Sequence, residues 1–318
     1  MMKIGVLTSG ADAPGMNACI RSIVRCAQAS GHEVYGFYDG FRGLIEGRFT
    51  KLDSIGVAGT IPLGGSLLGI ARLPEFKYEQ IRKMAKTQLD KNGIECLIVI
   101  GGDGSYRGAI GLHDLGVKVI AIPATIDNNI PSSDHSIGFS TSLRSAVEAV
   151  DRLKDTSSGH QWCSIVEVTG NNCEDLALFT GLACGAEYVI TKNAGFDKDK
   201  LLEELKQDHL EGRKHALVVV SEGLANVYAL AKEIESYSGF ECRSTILGYV
   251  LRGGSPTPED RIRASRLGAY AVSLIDQKKF GYSVGLVKNE MVETPIKDSL
   301  NVTTKPNEEL NNLLQKTK

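Results

Sequence analysis

Leu97-Ile98-Val99-Ile100-Gly101-Gly102-Asp103-Gly104-Ser105 is the stretch whose reading decides the fold. Four consecutive apolar residues predict a strand buried on both faces, as in a parallel sheet. The three glycines that follow let the backbone turn with positive φ and approach a ligand closely. Successive N–H groups of such a turn form an anion nest, and a helix beginning near Ser105 adds its positive end. A carboxylate among phosphate-cradling glycines is repulsive unless a divalent cation bridges the two, so Asp103 implies Mg²⁺. Alone, the motif fits either a nucleotide-phosphate site or a plain strand-to-helix turn capped by Asp103.

Two other stretches repeat the grammar. Lys3 to Thr8 is a short apolar strand that runs into the small-residue turn Ser9-Gly10-Ala11-Asp12-Ala13-Pro14-Gly15, with a helix expected over 16–29. Val117 to Pro123 is another, ending in Thr125-Ile126-Asp127-Asn128-Asn129. Three strand ends carrying small or hydroxyl residues and an Asp suit the crevice outside the carboxyl ends of a parallel sheet.

The chain has 318 residues, enough for one large or two ordinary domains. Its 42 % hydrophobic and 23 % charged content fit a soluble globular protein. A net charge of −2 gives no global attraction to nucleic acid or a membrane, so neither partner is expected and an anionic substrate needs locally placed Arg and Lys. No apolar run approaches the roughly 18 residues of a membrane span. The chain enters a strand at once with no secretory leader, so a cytoplasmic location is expected. Seven cysteines form no C-x-x-C pair, which reads as reduced, mostly buried thiols rather than a zinc site.

Taken in order, strands are predicted at 3–8, 33–38, 97–100 and 117–122, with helices near 16–29, 78–91 and 105–114, a doubly wound α/β pattern. Between them, Pro62 to Arg72 is a Gly/Ser loop ending in a cation, either a connector or a phosphate-reaching arm. A helix near 140–154 leads to a second α/β pattern, with strands at 163–168, 187–190 and 215–220 and helices near 173–184, 198–207 and 225–236. A helix is predicted over 242–251, another carries Arg261, Arg263 and Arg266, and the polar tail after Thr303 reads as a surface helix.

Thr8 to Asn17, Gly101 to Gly108, Thr125-Ile126-Asp127 and Leu251-Arg252-Gly253-Gly254-Ser255-Pro256 are similar to the motifs of bacterial-type ATP-dependent 6-phosphofructokinases, in matching order over the whole chain. The resemblance implies two Rossmann-like α/β/α lobes: an ATP lobe of 1–138 plus 251–301 and a sugar-phosphate lobe of 139–250 plus 302–318. It implies a tetramer and transfer of the ATP γ-phosphoryl group to the 1-hydroxyl of fructose 6-phosphate, a step of glycolysis. Gly10, Ala11, Gly101, Gly102, Gly104, Ser105 and Gly108 would hold ATP, Asp103 the Mg²⁺, and Arg72 the transferred phosphoryl group. Asp127 would take the hydroxyl proton with Thr125 beside it. Thr169, Gly170, Glu222, Arg243, Tyr249 and Arg252 would contact the sugar phosphate, Arg243 from a neighbouring subunit. An effector site for nucleoside diphosphate or phosphoenolpyruvate would use Arg21, Arg25, Lys154, Gly185, Glu187 and Arg213. The Arg21/Arg25 pair also reads as a solvated basic helix face. Ala124 and Gly104 favour ATP over pyrophosphate.

Several positions depart from the family pattern. Trp162 and Asn171 stand where cations are usual, Tyr249 replaces His, Asn129 replaces Asp, and Ala11 replaces Gly. Each lost charge-assisted phosphate contact is worth roughly 1.5–3 kcal/mol. Ala11 adds a methyl near phosphate, and strain if its φ is positive. Besides an active kinase, the substitutions allow a regulatory subunit that binds ligands and assembles with an active paralogue. Trp162 reads as a packing residue at a subunit interface rather than one that stacks on substrate.

Overall fold

The computed structural model describes residues 1–170, 173–192, 195–302 and 307–317. Its strands are β1 (Lys3–Ser9), β2 (Glu33–Phe37), β3 (Phe49–Leu52), β4 (Cys96–Gly101), β5 (Val119–Pro123), β6 (Cys163–Val168), β7 (Tyr188–Ile190), β8 (Ala216–Ser221), β9 (Cys242–Ile246), β10 (Tyr282–Val287) and β11 (Glu290–Pro295). Contacts divide the chain into two compact units, Met1–Thr141 with Arg252–Thr303 and Ser142–Leu251 with Thr304–Lys318. Each has the α/β architecture that the alternating pattern requires.

The first unit holds a seven-stranded sheet in the order β11-β10-β5-β4-β1-β2-β3. β4 bonds in parallel to β1 on one side and β5 on the other, and all six of its residues are buried. That explains why its sequence is an unbroken apolar run rather than an alternation. From β1 the chain moves outward through β2 and β3, then returns to build β4 and β5 on the other side. The order therefore reverses between β1 and β4, where the loops after both strands diverge and leave a crevice. Ser9 pairs with Gly101 at this point, so the two turns leave the sheet side by side. The edges are closed by antiparallel pairings, β2 with β3 and β10 with β11. The helix Met16–Ala29 lies along the helix Pro258–Asp276, whose buried Asp260 pairs with Arg263 at 2.5 Å.

The second unit holds a parallel sheet in the order β7-β8-β6-β9. Cys163, Ile165, Val218 and Val220 anchor its core against Leu205, Leu230 and Ile234 from the flanking helices. Val168 pairs with Ser221, which puts the ends of β6 and β8 level. The tail helix Glu308–Lys316 packs on the helix Asp175–Cys184 and buries Leu314.

The segment 242–251, predicted as a helix, is instead strand β9 followed by a 3₁₀ turn, Gly248–Arg252. Its Thr245-Ile246 pair is β-branched and β6 offers a free edge for pairing, and those two facts outweigh a helix-like spacing of apolar residues. The helix after the glycine turn starts at Asp103, two residues earlier than predicted. Among the described residues, no helix is long and apolar enough to cross a membrane.

Candidate functional site

Three turns meet at the carboxyl edge of the first unit's sheet. A Cβ on Gly101 would stand 2.3 Å from Ser105 Oγ and 2.5 Å from the Ser9 carbonyl, so only glycine fits where the first two turns touch. A Cβ on Gly102 would lie 3.3 Å from Thr125 Cβ, which brings in the third turn. Gly10 has φ 94°, a left-handed conformation that excludes larger residues, and its α-carbon faces Ser105. Gly104, by contrast, faces open space. Ser105 Oγ is shielded from solvent and has no hydrogen-bond partner among the described residues. Ala11 is not among the residues with positive φ, so its methyl is carried without backbone strain.

A cavity of about 410 Å³ opens from these turns, lined by Ser9, Gly10, Gly104, Ser105 and Gly108 and by the cations Arg72, Lys77, Arg82 and Arg107. One wall is apolar. The rings of Phe41 and Phe76 stack 4.0 Å apart at 15°, and Gly108 packs under them, because a Cβ there would come within 2.6 Å of Phe41. A flat aromatic wall beside a cationic, glycine-lined end suits a base at one end and phosphates at the other. A second cavity of about 360 Å³ adjoins it, lined by Ala11, Asp12, Gly65, Ser66 and Arg252. Gly10 and Arg72 line both cavities. Arg72 is held there by its loop. Asn17 donates to the Leu63 and Gly64 carbonyls and accepts from the Leu67 N–H at 2.7 Å, while Thr8 donates to the Gly69 carbonyl at 3.0 Å.

Asp127 is half-buried on the third turn, and its N–H donates to Thr125 Oγ1 at 3.2 Å. Asn128 fixes the turn in a left-handed conformation, accepting from the Ser136 N–H and donating to the Asp134 carbonyl. Asn129 Oδ1 is shielded from solvent and has no hydrogen-bond partner among the described residues. Asp103 opens its helix and is gripped by Arg107, with Nε to Oδ2 at 2.9 Å and Nη2 to Oδ1 at 3.0 Å. Among the described residues, no three His, Cys, Asp or Glu side chains cluster to cage a metal. One carboxylate at a phosphate nest nevertheless fits Mg²⁺, which binds through one or two carboxylates, waters and the substrate's own phosphates.

In the second unit, Thr169, Gly170 and Glu222 follow β6 and β8 at the carboxyl edge of the sheet. The Glu222 N–H donates to the Val168 carbonyl at 2.9 Å, and a Cβ on Gly170 would strike Ser221 Oγ at 2.3 Å. Glu167 sits beside them, and burial, with the Glu222 charge as a second cause, raises its carboxyl above the usual range. Arg243 does not share this edge. It pairs with Ser164, five residues before Thr169, a separation of roughly 16 Å along the strand. There its guanidinium lies 5.5 Å from the Trp162 ring, which stacks on His160 at 4.7 Å. Tyr249 is 79 % exposed, and Asn171 lies outside the described residues.

The effector candidates fall in two places. Lys154 donates to the Cys184 carbonyl beside Gly185, while Glu187 accepts from Arg213 at 2.9 Å and from the Leu217 N–H at 2.7 Å. Arg21 and Arg25 stand on the helix Met16–Ala29 of the first unit. Sequence reasoning missed Phe41, Phe76, Lys77, Arg82 and Arg107. Only Arg107 left a signal, its i,i+4 spacing from Asp103.

The phosphofructokinase family pattern matches residues 3–275. The chain belongs to the phosphofructokinase family. It is 50 % identical over 312 residues to the ATP-dependent 6-phosphofructokinase of Tolumonas auensis, covering 98 % of each chain. It is 49 % identical over 304 residues to that of Vibrio campbellii, covering 96 % of this chain and 95 % of the relative. Among solved structures, phosphofructokinase from Saccharomyces cerevisiae superposes with a TM-score of 0.89 at 28 % identity, covering 100 % of this chain and 47 % of that longer one. A pyrophosphate-dependent phosphofructokinase from Marinobacter aquaeolei shares the fold at TM-score 0.85 and 19 % identity, with 95 % of this chain and 84 % of that one covered.

Proposed function

We propose that the chain transfers the γ-phosphoryl group of ATP to the 1-hydroxyl of fructose 6-phosphate, giving fructose 1,6-bisphosphate. The observation that carries this reading is the place of Arg72, on the shared edge of the aromatic-walled cavity and the smaller polar one. The nucleotide occupies the first cavity, its base against Phe41 and Phe76 and its phosphates at Gly101 to Ser105. The sugar's reacting end lies toward the second, where Arg252 adds a cation. Arg72 then neutralises charge on the group in flight, a contribution that can reach several orders of magnitude in rate.

Asp127 accepts the hydroxyl proton as oxygen attacks phosphorus, and Thr125 fixes the turn that aims it. Asp103 would hold Mg²⁺, whose charge offsets that of the β- and γ-phosphates. Thr169, Gly170, Glu222 and Tyr249 bind the sugar phosphate. Arg243 lies at the opposite edge of its sheet, which supports an assembly in which it serves another copy's site, as in a tetramer. Arg21, Arg25, Lys154, Gly185, Glu187 and Arg213 are the proposed contacts for a nucleoside diphosphate or phosphoenolpyruvate, and the cytoplasm is the proposed location. The test is Asp127→Asn. Turnover should fall about 10²- to 10⁴-fold with little change in nucleotide binding, whereas an unaltered rate would remove Asp127 from the chemistry.

A further inference from the structure

Asp103 does not wait as a bare carboxylate. Both of its oxygens are engaged by the Arg107 fork one helical turn along. The pair is open to solvent, with the arginine side chain 70 % and the aspartate side chain 39 % exposed. Arg107 also lines the larger cavity with Gly104, Ser105 and Gly108, so the pair stands where the nucleotide phosphates are proposed to lie.

Two consequences follow from charge alone. A lone Asp103 repels a metal-free triphosphate, and Arg107 cancels that repulsion. The same fork would compete with a divalent cation for the carboxylate, because both draw on the same two oxygens and the two positive charges repel each other. We propose that Arg107 sets the metal dependence of nucleotide binding. It stands in for the cation when metal is absent and yields the carboxylate when metal arrives. The exchange is easy, since an exposed pair at i,i+4 spacing is worth only roughly a two- to five-fold change in an equilibrium. The released guanidinium remains within the cationic end of the cavity beside Arg72, Lys77 and Arg82. This rests on the reading of the larger cavity as the nucleotide site.

Removing Arg107 changes two quantities that push the same ratio. Metal-free nucleotide loses a neutralised partner and binds more weakly, while magnesium-bound nucleotide no longer competes with the fork. The full chain and its Arg107→Gln variant are titrated calorimetrically with a non-hydrolysable ATP analogue, once in excess Mg²⁺ and once in excess chelator. The metal-free to magnesium-bound ratio of dissociation constants should rise about five-fold or more in the variant, and Arg107→Lys, which keeps charge without the fork, should fall between. Magnesium at half-saturation should drop in the variant. An unchanged ratio overturns the proposal: a parallel loss in both conditions makes Arg107 an ordinary phosphate contact, and no loss with a lowered melting temperature makes it only a helix staple. If the unmodified chain binds no nucleotide in either condition, the cavity reading itself fails and the proposal fails with it.

Discussion

Gly104 separates what the fold needs from what the nucleotide needs. It is the second residue of the helix Asp103–Asp114, carries no positive φ, and has nothing within 4 Å of the place a Cβ would take. Gly104→Ala therefore meets no atom of the described residues. Alanine reduces the conformational freedom of the unfolded chain and favours the helix, a gain of about 0.4–1 kcal/mol. At the scale of a 150–250-residue domain this raises the melting temperature by about 1–4 °C. The new methyl nevertheless points into the space of the 410 Å³ cavity, where the phosphate nest approaches its ligand. If crowding costs as much as overpacking a core, about 1–3 kcal/mol, ATP binding weakens by roughly 5- to 150-fold. Thermal unfolding and calorimetric titration of the same preparations read the two effects separately. Stability should rise while affinity falls. A variant that binds ATP as tightly as the unmodified chain would refute the placement of the phosphates at Gly104, and one that melts lower would refute the open space.

Three further expectations concern other parts of the molecule. Asp260 is fully buried, accepts from the Gly138 and Thr141 N–H groups and from Thr141 Oγ1, and pairs with Arg263. Asp260→Ala leaves a buried cation unpaired and should cost about 3–5 kcal/mol in urea unfolding; a loss below 1 kcal/mol would show that the cluster is not structural. Glu167 has a folded-state carboxyl raised by burial and then by Glu222, so its contribution to stability is present at low pH and is lost as pH rises through that raised value. Glu167→Gln should unfold at higher urea than the unmodified chain near pH 8, and the difference should vanish near pH 4; a constant difference would contradict the raised carboxyl. Trp162 is the sole tryptophan and sits against Arg243, so fructose 6-phosphate should change the intrinsic fluorescence. Trp162→Ala should raise the KM for the sugar phosphate about two- to five-fold, the size of an exposed cation–π contact, with kcat and the KM for ATP unchanged; an equal change in all three would mark a packing role alone.

The turns at Gly10, Gly101–Gly104 and Thr125–Asp127 were legible because one pattern applies to each: a buried strand ends, and small or hydroxyl residues with an Asp follow it. The doubly wound class was legible for the same reason, since β4 and β5 are apolar throughout and allow only a buried parallel position. Other features had no local signature. Phe41 and Phe76 make one wall from residues 35 positions apart, and their stacking depends on tertiary packing. The helix expected over 242–251 failed because Leu247, Val250 and Leu251 imitate helical spacing while the segment's first half is claimed by the edge of β6. The edge strands β3 and β11 are short and only partly buried, so their hydrophobic patterns are weak. The question of strain at Ala11 was answered by its backbone conformation, which no composition argument supplies, while its methyl still lines the second cavity.

The most direct measurement is ADP production by the purified full chain with Mg-ATP, in the presence and absence of fructose 6-phosphate. Sugar-dependent turnover on the order of 1–100 s⁻¹, the ordinary range for kinases, is the expected result. A folded protein that binds nucleotide yet shows no sugar-dependent turnover would contradict the account and turn the substitutions at Trp162, Tyr249 and Asn129 into the marks of a ligand-binding subunit.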